Sequence, residues 1–284
     1  MFSVPFISEK ARWTQNGITV AGGNGRDNAL NQLCNPHGLY VDIDQNIYVS
    51  DNENDRIVQW KKNATVGQII AGGNGTGNQN NQLSRPQSVI VDEQNESLII
   101  CDSGNSRVVR WSCRNNSIGE TIISNIRCSG VVLDDDWYLY VSDVGKDEVR
   151  RWKIGEKDGT LVAGGNGRGN RLDQLSLPFD IFVDQDQSVY VSDYYNHRIV
   201  KWMKGAQEGV VVAGGRGAGN ALTQLDSPAG IVVDQLGTVY VAEYKNHRVV
   251  RWLKGATEGS VVVGGSKGGA HASKSAEFSL EFVI

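Results

Sequence analysis

The sequence predicts an all-β fold assembled from repeated four-stranded units, and three observations support this prediction. Six tryptophans end similar phrases, from EKARW at Trp13 to HRVVRW at Trp252. A glycine-rich phrase related to VAGGNG follows five of these tryptophans. Short runs rich in Val, Ile and Tyr, separated by Asp, Asn and Gly, fill the sequence between the markers, and no segment shows helical periodicity. A repeat of roughly 40–50 residues that holds four strands is typical of β-propeller blades.

One repeat shows the four strands clearly. Residues 178–215 contain the runs DIFVD, SVYVS, RIVKW and GVVVAGG, each bounded by turn residues. The same pattern predicts five complete blades, at residues 36–73, 86–125, 128–165, 178–215 and 228–265.

The two ends of the chain predict a sixth blade. Residues 11–23 resemble the third and fourth strands of a blade, and residues 278–284 resemble the lead into a first strand. A second strand would come from residues 2–7. The expected fold is therefore one monomeric domain over residues 1–284, a six-bladed propeller closed by pairing of its N- and C-terminal segments, which removes free sheet edges.

The chain resembles the NHL-repeat β-propeller family. The triplet Asn-His-Arg occurs at residues 196–198 and 246–248, preceded by VSD or VAE and, further upstream, by Pro-x-(Gly or Asp)-Ile-x-Val-Asp. Blades 1 and 2 keep the Asn and Arg, whereas Lys146-Asp147-Glu148 in blade 3 lacks the arginine. The resemblance implies a propeller fold. It also implies three kinds of relative: binding modules, lyase-type enzymes with a metal in the channel, and the RNA- or substrate-recognising ends of ubiquitin ligases.

The repeated acidic and arginine positions are assigned a structural role. An acidic residue at the end of each second strand and the arginine five positions later can form a charge-assisted pair that fixes a blade loop. The histidines of the two Asn-His-Arg triplets hold equivalent positions, which favours structure over catalysis. The residues assigned to this pattern are Asp51, Arg56, Asp102, Arg107, Asp193, His197, Arg198, His247 and Arg248.

Strand alternation predicts a loop-rich face on which sequence variation concentrates. The start of the first strand and the ends of the second and fourth strands share this face, and repeat proteins bind ligands through such variable loops. Tyrosines there suit binding, although packing between neighbouring loops is an equally open interpretation. The candidate binding residues are His37, Gln87, Ser129, Phe179, Ala229, Tyr194, Tyr195, Tyr244, Lys245, Arg168 and Arg216.

No catalytic residue, metal or cofactor is assigned from the sequence. The repeat accounts for two of the 4 histidines. The other two, His37 and His271, are too few for a three-ligand catalytic metal site. The acidic turns at residues 42–46 and 134–136 could bind calcium, but Asp and Asn are favoured in turns in any case. Each glycine run leads into a strand rather than a helix, so a tight turn explains it better than a phosphate loop. A lyase- or lactonase-type enzyme remains an alternative.

Charge and hydropathy limit the partners. The chain has 28 Lys and Arg against 32 Asp and Glu, and acidic residues accompany the loop arginines. RNA is therefore the less favoured partner, and a protein or peptide ligand is expected. No apolar run approaches the ~18 residues that span a membrane, so membrane insertion is not expected. The compartment is not identified. The start of the sequence lacks signal-peptide features, which favours the cytoplasm, and sequons at Asn63, Asn74, Asn95 and Asn115 only permit secretion.

The four cysteines form no metal-binding pair, and topology restricts their pairing. Cys113 follows a third strand and Cys128 follows a fourth, so they are expected on opposite faces. Cys101 ends a second strand, and Cys128 opens the next blade on the same face, after a loop shorter than its counterparts. We expect four reduced cysteines, since no secretion signal is visible. If a disulfide forms, it should join Cys101 to Cys128 and leave Cys34 and Cys113 as thiols.

Overall fold

The computed structural model describes residues 7–8, 11–13, 18–113 and 118–265. Within these residues the chain forms five antiparallel sheets of four strands, and the fold is an all-β β-propeller of four-stranded blades. Three short 3₁₀ helices follow the second strands of blades 1, 2 and 4. No helix in the described part of the chain is long and apolar enough to cross a membrane.

Each blade consists of consecutive strands paired in chain order. Blades 1 and 2 contain β1 (Pro36–Val41), β2 (Ile47–Asp51), β3 (Arg56–Trp60), β4 (Gln68–Gly72), β5 (Pro86–Asp92), β6 (Ser97–Asp102), β7 (Arg107–Ser112) and β8 (Gly119–Ser124). Blade 3 contains β9 (Cys128–Leu133), β10 (Tyr138–Asp143), β11 (Glu148–Lys153) and β12 (Thr160–Gly164). Blades 4 and 5 contain β13 (Pro178–Val183), β14 (Val189–Asp193), β15 (Arg198–Trp202), β16 (Val210–Gly214), β17 (Pro228–Val233), β18 (Val239–Glu243), β19 (Arg248–Trp252) and β20 (Ser260–Gly264).

Burial within a blade explains the composition of its strands. Every residue of the second strands β2, β6, β14 and β18 is buried, and these strands are continuous runs of Val, Ile, Leu and Tyr ending in Ser, Cys or Ala and an acid. The fourth strands are largely exposed or half-buried, as in β16. The register between third and fourth strands slips once in each blade, in blade 4 between Ile199 and Val200. Such a bulge bends the outer strand and increases its twist.

The chain divides into two compact units, with the boundary inside β9 between Val131 and Val132. In each unit, a buried cluster combines the tryptophan of a third strand with a tyrosine from the second strand of the preceding blade. The pairs that share a cluster are Trp111 with Tyr48, Trp202 with Tyr140, and Trp252 with Tyr190.

The described residues contain five blades, so the prediction of six is not matched. Residues 2–6 and 278–284 lie outside the described residues, and residues 11–13 and 18–23 form no strand. The apolar side chains expected to fill that blade face solvent, because Ile18 is 89% and Val20 59% exposed. Trp13 nevertheless packs edge-to-face on Tyr240 of blade 5, with ring centroids 6.2 Å apart. The tryptophan repeat therefore indicated that Trp13 packs against a blade, but the strands predicted around it do not form in the described residues.

A disulfide joins blades 2 and 3. Cys101 in β6 is bonded to Cys128 at the start of β9, with Cα atoms 5.7 Å apart and both side chains fully buried. Cys34 and Cys113 are free thiols. The pairing predicted from strand topology is confirmed, whereas the expectation of four reduced cysteines is wrong. The position of Cys101 also links two blades elsewhere in the fold. Its equivalent in blade 3, Ser142, donates a hydrogen bond to the backbone oxygen of Phe179 at the start of blade 4, 3.1 Å away.

Candidate binding face

A buried acid at the end of the second strand organises the loops of blades 1, 2, 4 and 5. In blade 4, Asp193 accepts hydrogen bonds from Arg198 Nε at 2.7 Å, Asn196 Nδ2 at 2.8 Å and the backbone N–H of Ser176 at 2.7 Å. Burial raises the pKa of Asp193, and these three donors oppose that effect. The corresponding acid–arginine pairs in the other blades are Asp51–Arg56, Asp102–Arg107 and Glu243–Arg248.

The arginine of each pair also holds the long loop that enters its blade. The guanidinium of Arg198 donates to the carbonyl oxygens of Asn170, Arg171 and Gln174 at 2.8, 2.9 and 3.1 Å. Arg56, Arg107 and Arg248 make the same kind of contacts with their own loops. A planar guanidinium with five donors suits this task because it can bond the acid and several carbonyls at once.

Blade 3 lacks both the arginine and the loop. Only residues 125–127 separate β8 from β9, against residues 165–177 between β12 and β13. Glu148 stands where the arginine would be and accepts a hydrogen bond from Arg150 Nε at 2.6 Å. Because there are no loop carbonyls to satisfy at this junction, the arginine has no role there. The Cys101–Cys128 bond provides the connection instead.

The residue before the arginine links its blade to the following one. His197 Nδ1 accepts a hydrogen bond from the backbone N–H of Ser227 at 3.1 Å, and the ring lies 3.3 Å from Asp226. Asp55 and Asp147 hold the equivalent position and accept from the N–H groups of Arg85 and Leu177. His247 is exposed. The histidine position thus acts as a blade-to-blade contact that Asp also provides.

The glycine run of each loop meets a backbone requirement. Gly214 has a φ of +69°, and a Cβ there would lie 2.5 Å from the carbonyl oxygen of His197. The loop then forms an isolated bridge between Ala218 and Leu225, and the leucine is fully buried. The run therefore makes a tight turn rather than a phosphate site.

Two of the candidate binding residues are buried. Ser129 and Ala229 are only 6% and 3% exposed, whereas Phe179, at the same place in the first strand of blade 4, is half-buried. His37 and Gln87 are half-buried, and His37 Nε2 lies 3.2 Å from the amide of Asn35.

Three other candidates form an aromatic cluster at the loop-rich end of blade 4. The rings of Phe179 and Tyr194 lie 5.5 Å apart, and those of Tyr194 and Tyr195 lie 5.4 Å apart. Tyr195 is 57% exposed, while the other two rings are half-buried. The exposed ring packs against a half-buried neighbour, so the cluster presents an aromatic surface to solvent.

The remaining candidates lie on loops of the same unit. Lys245 in blade 5 is exposed, and its ammonium lies 5.3 Å from the centre of the Tyr244 ring. Arg168 and Arg216 are exposed in the long loops, and Arg168 Nε is 3.0 Å from Asp147.

Asp180 is a functional candidate that the sequence interpretation missed. It is the third residue of β13, and its carboxylate accepts a hydrogen bond from the backbone N–H of Ile231 in β17 at 3.1 Å. Burial raises its pKa to about 7, against the opposing effect of the Ile231 and Ile181 N–H groups. The sequence could have indicated Asp180, because the other blades have only small residues at this position: Gly38, Ser88, Gly130 and Gly230.

A second missed cluster surrounds Cys34. Its thiol lies 3.1 Å from Arg26 Nε and 3.2 Å from Glu53 Oε2, and Arg26 also pairs with Glu53. Burial raises the pKa of the thiol, and the contact with Arg26 opposes that effect.

Other charged side chains also have partners within the fold. The loop residue Arg171 pairs with Asp173 at 2.9 Å. In the turns proposed for calcium, Asp42 accepts from Asn46 and Tyr48, and Asp134 accepts from Tyr138 and Tyr140. Within residues 7–8, 11–13, 18–113 and 118–265, no group of three His, Cys, Asp or Glu side chains could hold a metal ion. His271 lies outside these residues.

Comparison with known proteins agrees with this geometry. The acid–Asn–Arg arrangement and four-stranded blades define a repeat propeller, and the NHL repeat family model matches residues 33–60 and 225–252, in blades 1 and 5. The chain therefore contains NHL repeats, which confirms the resemblance to the NHL-repeat β-propeller family. No curated protein sequence matches the chain significantly.

Solved structures share the fold at low sequence identity. A chain from the crystal structure of a nidogen/laminin complex is 16% identical, with 79% of this chain and 78% of that chain covered and a TM-score of 0.61. Virginiamycin B lyase from Staphylococcus aureus is 11% identical over 82% of this chain and 71% of that chain, with a TM-score of 0.56. A protein of unknown function from Bacteroides thetaiotaomicron is 14% identical over 82% and 60%, with a TM-score of 0.62. These likenesses concern the fold alone.

Proposed function

We propose that the chain is a non-catalytic binding module that recognises a protein or peptide through the loop-rich end of blades 4 and 5. The observation that carries the proposal is the aromatic cluster of Phe179, Tyr194 and Tyr195. Exposed tyrosines held by packed neighbours provide contact area at little entropic cost, as in protein-binding surfaces.

Charged groups on loops of the same unit support the same function. Lys245 and Arg216 are exposed, and Arg168 is 58% exposed although it contacts Asp147. Loops that present both an aromatic cluster and cationic side chains suit a peptide that carries an apolar anchor and acidic flanking residues. One solved structure of the same fold is described as a nidogen/laminin complex, which is an assembly of two proteins.

Selection from a displayed random peptide library on the immobilised full chain tests the proposal. We expect selected peptides to lose at least tenfold in affinity with Tyr195→Ala, because a central aromatic anchor contributes about 2 kcal/mol or more. Met203→Ala is the matched control, since Met203 is 59% exposed but lies in the β15–β16 turn, at the other end of blade 4. Peptides whose affinity falls with Met203→Ala and not with Tyr195→Ala would refute the assignment.

A propeller enzyme of lyase or lactonase type is the alternative, and Asp180 is the observation in its favour. A carboxyl group held between neighbouring first strands, with a pKa of about 7, has the proton affinity of a general acid or base. Assays on a panel of lactones and cyclic depsipeptides distinguish the two functions. Turnover that disappears with Asp180→Asn would establish the enzyme and displace the binding module.

A further inference from the structure

The turn between the third and fourth strands has the same geometry in four blades. In blade 1 the backbone N–H of Ala64 donates to the carbonyl oxygen of Lys61 at 2.8 Å, and the equivalent bonds of blades 3, 4 and 5 are each 2.9 Å. The third residue of every turn has a positive φ. That residue is Asn63 (63°), Gly155 (98°), Gly205 (78°) or Gly255 (78°).

The side-chain direction at this third position opens into free space. A Cβ placed on Gly155, Gly205 or Gly255 would meet no atom within 4 Å. Only blade 1 among these four places a side chain there, and Asn63 is accordingly exposed. Asparagine tolerates the left-handed region better than other residues with a Cβ. The Asn63 amide can therefore accept a large substituent without moving the fold.

Asn63 begins the sequon Asn63-Ala64-Thr65, and Thr65 is also exposed. The amides of two other sequons are engaged in the fold. Asn74 donates to the carbonyl oxygen of Asn81 at 2.9 Å, and Asn95 donates to Asp92 at 2.8 Å. The sequon at Asn115 lies outside the described residues. Among the described sequons, only Asn63 combines an exposed amide, an exposed hydroxyl residue and an open direction.

The disulfide provides an independent argument about the compartment. Cys101 and Cys128 are bonded and fully buried at the junction that lacks its loop and its arginine, so the bond is part of the folded structure. Structural disulfides persist in the secretory pathway and outside the cell, and they are rare in the reducing cytosol. Asparagine glycosylation occurs in the same secretory route and marks surface positions.

We propose that Asn63 carries an N-linked oligosaccharide, added in the compartment in which the Cys101–Cys128 bond forms. In the transfer, Asn63 Nδ2 bonds to C1 of the first sugar of an oligosaccharide linked to a lipid pyrophosphate. The bond between C1 and the pyrophosphate oxygen breaks, the lipid pyrophosphate leaves with the electron pair, and the amide loses one proton. The transferase and donor belong to the host membrane.

The position of the modification agrees with the orientation of its blade. The third strand β3 begins at Arg56 in the loop-rich end and finishes at Trp60, next to the turn that contains Asn63. An oligosaccharide at Asn63 therefore lies at the opposite end of blade 1 from its variable loops. It would cover the turn and leave the loops of that blade open.

The first test is peptide mapping of the full chain from its native source. Digestion under non-reducing conditions, with and without peptide N-glycosidase in ¹⁸O-labelled water, reports both features in one experiment. We expect the Cys101–Cys128 cross-linked peptide and ¹⁸O incorporation at Asn63 only after glycosidase treatment. An unmodified Asn63 in the native protein overturns the proposal.

The second test uses the full chain expressed through the secretory pathway of a eukaryotic host. Asn63→Gly restores the residue of the other turns and Thr65→Ala keeps the asparagine, so both should fold and both should lose the oligosaccharide. Ser97→Ala is the matched control: it removes the sequon at Asn95, and the Ser97 hydroxyl has no hydrogen-bond partner in the described structure. A secreted, disulfide-bonded chain whose oligosaccharide survives Thr65→Ala, or is lost with Ser97→Ala, contradicts the assignment.

Discussion

Replacing Arg198 by Met tests whether the repeated arginine holds a propeller blade together. Arg198 and Asp193 are both buried, and their charged atoms lie 2.7 Å apart. Removing one partner of a buried ion pair leaves an uncompensated charge, which destabilises a protein by about 3–5 kcal/mol. The three loop carbonyls that lose a donor add less, because residues 170 and 171 are exposed and water can reach them. We therefore expect Arg198→Met to lower the free energy of unfolding by about 3–5 kcal/mol.

Urea unfolding followed by tryptophan fluorescence measures this loss. Arg171→Met is the matched control, because its pair with Asp173 is 2.9 Å long but the arginine side chain is 66% exposed. Exposed pairs contribute about 0–1 kcal/mol. The double variant Arg198→Met/Asp193→Asn should recover part of the loss, since no charge then stays buried. A loss in Arg198→Met no larger than in the Arg171 control would refute the argument that the arginine organises its blade.

Three further predictions follow from the charge and cysteine contacts. Because burial raises the folded-state pKa of Asp180 to about 7, its contribution to stability is complete below about pH 4 and is lost as pH rises through 7. The urea midpoint of the wild type should therefore decrease relative to that of Asp180→Asn across that range, and an offset between the two midpoints that does not change with pH would contradict the assignment. Replacing Cys101 and Cys128 by Ser should lower the free energy of unfolding by about 3–4 kcal/mol, given their separation of 27 residues, whereas Cys34→Ser should change it little. Binding to single-stranded RNA should be weak and sensitive to salt, and a sequence-specific dissociation constant near ~10⁻⁸ M at physiological salt would show this to be wrong.

The strands and the partners of the disulfide were predictable because their determinants are local or repeat in register, whereas the existence of the disulfide was not expected. Runs such as VYVSD and RIVKW are short, rich in Val, Ile and Tyr and bounded by turn residues, and their recurrence fixes which residues share a face. This assignment of faces predicted that Cys113 and Cys128 lie on opposite faces and that Cys101 and Cys128 lie on the same one. The repeat also explains the exception in blade 3, where the arginine and the loop that it would hold are absent together.

The features that sequence reasoning missed depend on contacts between distant segments. Ile18 and Val20 follow the strand pattern, but a strand also needs a partner along its edge, and none pairs with them in the described structure. Asp180 accepts a hydrogen bond from Ile231 in β17, which lies 51 residues away along the chain, and the burial that raises its pKa is not visible in the local sequence. The environment of Cys34 likewise depends on Glu53, which pattern analysis gave no reason to place beside it.

The bond between Cys101 and Cys128 encloses β7 and β8 in a covalent loop. A single cut by a protease at the exposed Cys113, which follows β7, would divide the backbone without releasing either piece. The two fragments would stay joined through a bond that is buried from solvent. The bond at the junction with the shortest connecting segment would thus hold the chain together after a break elsewhere, between β7 and β8.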